Sequence, residues 1–316
     1  MRMRIAIVQS FYSSGLPSGE NVVVEDQTKV LREAGHDVLL VRQDTDHLQG
    51  FLYPLRTALN VAFGAGFDPT PLLSEFHPDV VHVHNLFPNI STRWLTKWDG
   101  PIVASLHNYR LTCANGLFFR SGQICTDCAQ DDSRSAIRHA CYRESRLATF
   151  PLAVSRKRTR DDYANVSVVV TTSELSDEVV HKYIDNRFRT VVIPNFASGG
   201  DAVVKEVSNS AMWLAAGRFT PEKGFVELAR DWPADESLLM IGDGPDRVKL
   251  ERWSGEKDVE VWPSLDRSDF RRQLASSQGL IFPSRWFEAD PQVVVEAMSL
   301  GVPVVAFRAN AVAPIV

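Results

Sequence analysis

Near the end of this 316-residue chain two glutamates, Glu288 and Glu296, stand with seven residues between them. Ionised carboxylates only accept hydrogen bonds, so a pair at one working end suits a ligand rich in hydroxyl groups. Upstream, Arg218 and Lys223 lie five positions apart in Gly217-Arg218-Phe219-Thr220-Pro221-Glu222-Lys223-Gly224. A guanidinium fork and an ammonium point charge, in a loop bounded by Gly and Pro, suit a diphosphate. His107 ends an apolar run in the first half, and Gly19 precedes a helical pattern where backbone amides could approach a phosphate. Gly19 is equally read as a glycine needed only for the turn. All four cysteines fall within 113–141, in the order Cys113, Cys125, Cys128, Cys141. One Cys-x2-Cys pair flanked by single cysteines predicts a tetrahedral zinc site of four thiolates, structural because no coordination position stays open. Reduced buried thiols or a redox pair are the alternatives.

These groups must be positioned by regular elements, and the pattern supplies them. Leu280–Phe282 reads as a buried strand ending at Pro283-Ser284. Pro291 then opens a helix with apolar Val293, Val294, Ala297 and Met298, Asp290 as its N-cap and Gly301 as its stop. The amides of Gln292, Val293 and Val294 are expected to point out of the helix start. Arg4–Gln9, His36–Val41, Pro78–Asn85, Pro101–Leu106, Val166–Thr171 and Thr190–Ile193 read as strands of a first α/β domain, with helices at 20–34, around 53–63 and over 133–160. His82 and His84 alternate with apolar residues, so both face one side of their strand; a structural or supporting role is the plainer reading, and a metal pair is the alternative. Residues 115–122 read as a hairpin-like excursion. Met212–Ala216, Leu238–Ile241, Val259–Trp262 and Pro303–Ala306 read as strands of a second domain, with a helix at 266–276. Gly199, Gly200 and the serines up to 210 mark the linker. The loop containing Gly15 and Gly19 lacks the Gly-x-Gly-x-x-Gly dinucleotide fingerprint.

The flanking residues sharpen the reading. Glu288 and Glu296 with Ala297-Met298 and Gly301-Val302-Pro303-Val304-Val305 resemble the glutamate-x7-glutamate motif of GT-B glycosyltransferases of family 4. Gly217-Arg218 with Lys223-Gly224, Gly242-Asp243-Gly244-Pro245 and Ser18-Gly19-Glu20-Asn21 are similar to further motifs of that family, and the resemblance covers nearly the whole chain. It implies an α/β fold of two doubly wound Rossmann-like domains facing across a cleft: residues 1–196 with the Cys-rich insertion at 113–141, and residues 208–316. It implies a donor nucleotide-diphosphate sugar (UDP- or GDP-linked) and an acceptor that the sequence does not name. Arg218 and Lys223 would clamp the diphosphate and Glu296 would take the ribose hydroxyls. Glu288, with Asp290, Pro291 and Gln292, would hold the sugar, and Gly19 and His107 would close over it. The resemblance implies transfer with retention, and many members of the family need no metal ion for catalysis, so no cofactor is expected beyond a structural zinc. The Cys-rich insertion looks like a subgroup feature. Two departures stand out: Phe196 replaces the Gly of the usual Pro-Asn-Gly, and Ala311-Val312-Ala313-Pro314-Ile315 replaces a glycine-rich segment. Residues 208–316 are also short for such a domain, which needs roughly 150 residues, so the C-terminal domain reads as incomplete.

Composition narrows the partners. A formal net charge of -5 and a pI near 5.9 argue against a nucleic-acid partner. No apolar stretch approaches the roughly 20 residues that span a bilayer, and the N-terminus has only a strand-length apolar run, so the expectation is cytoplasmic. Arg134, Arg138, Arg143, Arg146, Arg156, Lys157, Arg158 and Arg160 make 134–160 basic. A solvated helix face is the plain reading of that stretch. Contact with an anionic acceptor or with the inner membrane face is the functional one.

Overall fold

The computed structural model describes residues 2–13, 18–48, 50–130, 133–197, 212–254 and 257–307. Gly15, the linker composition at 199–210 and the closing 311–315 lie outside the described residues. The chain divides into two compact units: 1–118 with 125–194, and 119–124 with 195–316. The boundary falls between Pro194 and Asn195, close to the expected one, but the short segment 119–124 is grouped with the second unit.

The first unit runs β1 (Arg4–Phe11), α1 (Gly19–Glu33), β2 (Asp37–Asp44), α2 (Thr45–Leu48), α3 (Tyr53–Phe63), α4 (Thr70–Phe76), β3 (Val80–Val83) and β4 (Ile102–Ser105). The antiparallel hairpin β5 (Phe119–Arg120) and β6 (Gln123–Ile124) follows. Then come α5 (Ser133–Arg138), α6 (Arg146–Tyr163), β7 (Val168–Thr171), α7 (Glu174–Tyr183) and β8 (Thr190–Val192). The expected single helical region at 133–160 is two helices; α6 begins afresh at Ser145, whose hydroxyl accepts from the Ala148 amide at 3.2 Å. The six strands are parallel in the order β2-β1-β3-β4-β7-β8. β1 is buried at every position after Arg4, as befits a central strand covered on both faces. α1 buries Val23 and Val24 and stops at Ala34, with Gly35 at φ 86°.

The second unit runs β9 (Trp213–Ala216), α8 (Phe225–Asp231), β10 (Leu238–Ile241), α9 (Arg247–Trp253), β11 (Val259–Trp262), α10 (Arg267–Ser276), β12 (Leu280–Phe282), α11 (Gln292–Ser299) and β13 (Val304–Ala306). Its five parallel strands lie in the order β11-β10-β9-β12-β13. Two apolar clusters cover the two faces, one around Leu214, Leu280 and Ala297, the other around Phe219, Met240 and Leu250. Each fully buried Leu or Phe contributes about 1.5–3 kcal/mol.

The strand orders matter for function. In each sheet the chain reverses its winding direction beside the first strand: between β1 and β3 in the first unit, and between β9 and β12 in the second. Ligands of doubly wound folds bind beyond the carboxyl ends of the strands at such a reversal. The loops after those four strands carry Gly19, His84, Arg218 and Glu288.

Candidate active site

In the second unit the loops after β9 and β12 are bonded into one piece. Lys223 Nζ donates to both Glu288 carboxylate oxygens, at 2.8 and 2.9 Å. The Arg285 amide donates to the Glu222 carbonyl at 2.9 Å. Gly224, at φ 73°, passes so near the second loop that a Cβ would lie 2.3 Å from the Pro283 carbonyl oxygen. Glu288 is 6% exposed and also accepts from Ser284 Oγ at 2.6 Å and from Trp286 Nε1. The Lys223 ammonium stands 5.5 Å from the centre of the Trp286 ring. The pair expected to divide between diphosphate and sugar is thus bonded to itself, and Glu288 fixes where Lys223 points. Arg218 is exposed on the same loop. A third loop joins behind: Gly242, at φ 158°, would bring a Cβ to 1.9 Å from the Gly217 carbonyl oxygen.

The start of α11 differs from the sequence expectation. Pro291, not Asp290, is the N-cap, and no side chain caps the helix. Asp290 instead accepts from the Asn195 amide, and Asn195 Nδ2 donates to the Asp290 carbonyl at 2.9 Å. Burial pushes the Asp290 carboxyl up to about 6; the Asn195 amide opposes this and the nearby Glu288 adds to it. The Val294 amide is not free, since it donates to the Pro291 carbonyl at 2.9 Å. That leaves the amides of Gln292 and Val293 without an acceptor inside the helix. The side-chain oxygen and nitrogen of Gln292 are both buried with no partner. Glu296, one turn on, is 7% exposed and faces Arg267 Nε at 3.4 Å. Arg267 carried no signal in the sequence. Asn195 did, as the residue after Pro194.

The first unit holds a second polar centre, at the ends of β3 and β4. His84 Nδ1 and His107 Nε2 are 2.9 Å apart with their rings nearly parallel, and the His82 and His84 ring centres are 4.2 Å apart. His82 Nε2 meets Ser105 Oγ at 2.9 Å. Burial lowers all three: His82 and His107 to about 4, and His84 well below the usual imidazole range, helped by its two neighbours. All three are neutral near pH 7. Gly19 is exposed at the first turn of α1, whose N-cap Ser18 makes no side-chain cap.

The four cysteines are free thiols. Cys113 Sγ donates to Asn115 Oδ1 at 2.9 Å. Burial pushes the Cys128 thiol up to about 12, with Cys113, Cys141 and Cys125 adding to the shift and Arg156 opposing it. Among the described residues no group of three or more His, Cys, Asp or Glu side chains is arranged to hold a metal ion. The zinc set expected from Cys113, Cys125, Cys128 and Cys141 is therefore not assembled in this structure, and it stays an expectation of the spacing. The excursion expected at 115–122 holds a hairpin a few residues later, β5 and β6 over 119–124, which belongs to the second unit, where Arg285 Nη2 donates to the Gly122 carbonyl at 3.0 Å.

Two parallel sheets with loop-built polar sites at their winding reversals define a GT-B fold. The model of Glycosyltransferase Family 4 matches residues 17–198, more than half of the chain, and that of Glycosyl transferases group 1 matches 211–316. The chain belongs to glycosyltransferase family 4. It is similar to the amylovoran biosynthesis glycosyltransferase AmsD of Erwinia amylovora, 32% identical over 103 residues, which are 30% of this chain and 28% of that protein. Among solved structures, sucrose-phosphate synthase of Thermosynechococcus elongatus superposes with a TM-score of 0.62 at 16% identity, over 98% of this chain and 82% of that one. Anabaena HepE in complex with UDP-glucose superposes at 0.58 and 17% identity, over 100% and 83%.

Proposed function

We propose that the protein transfers a sugar from a nucleotide-diphosphate sugar to an acceptor. The observation that carries this reading is the bonded pair of loops after β9 and β12, which sets Arg218, Lys223 and the α11 start together at the winding reversal. Arg218 and Lys223 meet the diphosphate. Because charge grows on it as the sugar departs, the cations stabilise the transition state more than the bound donor. Glu288 holds Lys223 in place as well as meeting the sugar. Asp290 and Pro291 set the entry of α11, whose first amides and Gln292 side chain face the same ligand. Glu296 accepts from the ribose hydroxyls. UDP is the first base to test, since the similar HepE structure holds UDP-glucose. The family resemblance implies transfer with retention, and since no described residue stands out as a covalent nucleophile, the route it favours is a front-face one in which the leaving phosphate helps deprotonate the acceptor, with no metal ion required.

Nucleotide release over a panel of donors, with and without candidate acceptors, is the test. Acceptor-dependent release that persists in EDTA is the expected result. Turnover without an acceptor would mean a hydrolase or epimerase, and binding without release a protein that only holds the nucleotide. Arg218→Ala or Glu296→Ala is expected to weaken donor binding about 10- to 100-fold, the worth of one charged hydrogen bond. Unchanged affinity in both would remove the site assignment. The anomer of the product, read by NMR, decides retention.

The reading extends to a peripheral contact with the inner membrane face through 134–160. Along α6, Leu147 (88% exposed), Phe150 and Val154 stand out beside exposed Arg146 and Lys157. Apolar side chains flanked by cations suit an anionic bilayer surface. Among the described residues no helix is long and apolar enough to cross a membrane.

A further inference from the structure

The first unit holds a partly open pocket of about 90 Å³ between the ends of β3 and β4 and the inner face of α6. On this measure a water needs roughly 10–15 Å³, so the pocket has room for several waters or for one group of phosphate or carboxylate size. Its walls are charged unlike the protein. Arg110, Arg156 and Arg158 line it against a single acidic side chain, Glu20, in a chain whose formal net charge is -5. The histidines in the wall are neutral.

Several polar atoms of the lining residues are buried with no partner: His84 Nε2, Asn60 Oδ1, Arg110 Nε and Arg158 Nε. His84 is 3% exposed and Asn60 6%. Leaving such atoms unmatched costs about 1–3 kcal/mol each. Asn60 is held rigidly, its Nδ2 donating to the Pro88 carbonyl at 2.6 Å. Arg158 is anchored by Asp162 at 2.8 Å and by the Val61 carbonyl at 2.8 Å. Arg110 differs. It lies over the Phe87 ring at 4.2 Å and donates to the Ala114 carbonyl at 2.9 Å, and among the described residues no carboxylate pairs with it. A half-buried cation without an anion, beside the unmatched Nε–H groups of Arg110 and Arg158, is the chemistry of an anion site awaiting its ligand, with Asn60 Oδ1 left to accept from a water or a hydroxyl on the same group.

We infer that this cavity receives an anionic group, a phosphate or carboxylate, carried by the acceptor, with Arg110 as its charge partner and His84 Nε2 as a second contact. The acceptor assignment rests on the transferase reading; the anion site itself does not. The same anion can come from a soluble phosphate ester or from a lipid headgroup.

The test uses inorganic phosphate as probe, in phosphate- and sulfate-free buffer, read by thermal shift and calorimetry on the full chain. Saturable binding is expected, weakened at least tenfold by Arg110→Gln and retained by Arg218→Ala, with UDP binding following the opposite pattern. Thr159→Glu, which adds a carboxylate at the cavity wall without removing any arginine, is expected to weaken phosphate equally and guards against misfolding of the Arg110 variant. Vesicles of phosphatidylcholine with and without phosphatidic acid separate the sources. Phosphatidic-acid-dependent binding that falls with Arg110→Gln assigns the lipid, and phosphate binding without it assigns the soluble ester. No saturable phosphate binding, meaning that only water fills the cavity, overturns the proposal. So does phosphate binding that is lost with Arg218→Ala and kept with Arg110→Gln. If nucleotides fail to bind wild type while phosphate still depends on Arg110, the transferase reading falls and the anion site stands.

Discussion

The two polar centres are built on opposite plans. In the second unit, charge is matched before any ligand arrives: Lys223 is spent on Glu288, and the loops carrying them are locked by backbone contacts at Gly224 and Gly242. In the first unit one charge is left unmatched: among the described residues no carboxylate pairs with Arg110, and polar atoms of four wall residues lack partners. A matched site is stable and presents fixed donors, so its ligand meets little ordering cost. An unmatched site gives up stability until its ligand supplies the missing partner.

The largest effect should follow from breaking the matched pair. Glu288→Ala leaves the Lys223 ammonium largely buried and unpaired, and is expected to cost about 3–5 kcal/mol in chemical denaturation. Arg110→Gln, which breaks no ion pair, should cost about 1–2 kcal/mol. Equal losses would erase the contrast between the centres. Next in size, Gly224→Ala must place a Cβ against the Pro283 carbonyl in a left-handed backbone. A loss of about 3 kcal/mol is expected, lowering Tm on the order of 10 °C. A change under about 2 °C would show that the two loops are not locked.

Asp290 gives a smaller, pH-dependent effect. Its folded pKa of about 6 lies above the usual 3.8, so the folded state binds the proton more tightly than the unfolded one. Its contribution therefore favours folding at low pH and declines as pH rises from about 4 to 6. Asp290→Asn removes that decline. The variant's stability relative to wild type should grow by about 2 kcal/mol across this window, read by Tm against pH; a flat difference would refute the raised pKa. Smallest of all, Phe150→Ser on the exposed face of α6 should weaken binding to anionic vesicles about fivefold, roughly 1 kcal/mol, with donor affinity unchanged. No loss would leave that face simply solvated.

The same contrast explains what the sequence disclosed. The second unit's site lies in short contiguous motifs, because a loop between a strand and a helix must carry its glycines and cations close together. That Arg218 and Lys223 share the loop after β9, and that Glu288 and Glu296 flank the start of α11, was readable for that reason, as were most strands, whose apolar runs are bounded by Gly and Pro. Asp290 was misassigned as a cap because a local rule competed with Asn195, 95 positions away. The wall of the first unit's cavity draws on α1, α3, the ends of β3 and β4, and α6. No spacing links Asn60, Arg110 and Arg158, so only the fold brings them together. The cysteines stand apart: their spacing predicts a four-thiolate set, and among the described residues no such group is arranged for a metal, since spacing along the chain does not dictate where four sulfurs point.

The contact between His84 and His107 has one more consequence, in proton bookkeeping. Two neutral imidazoles joined through Nδ1 and Nε2 share one N–H in their contact. Whichever ring gives that hydrogen, the two outward nitrogens, Nε2 of His84 and Nδ1 of His107, must be of opposite character, one bearing hydrogen and the other a lone pair. Fixing either outer atom therefore writes the tautomer of the other ring through about 5 Å of stacked imidazole. Nitrogen NMR of the two histidines would read this as a paired inversion of shifts when phosphate is added.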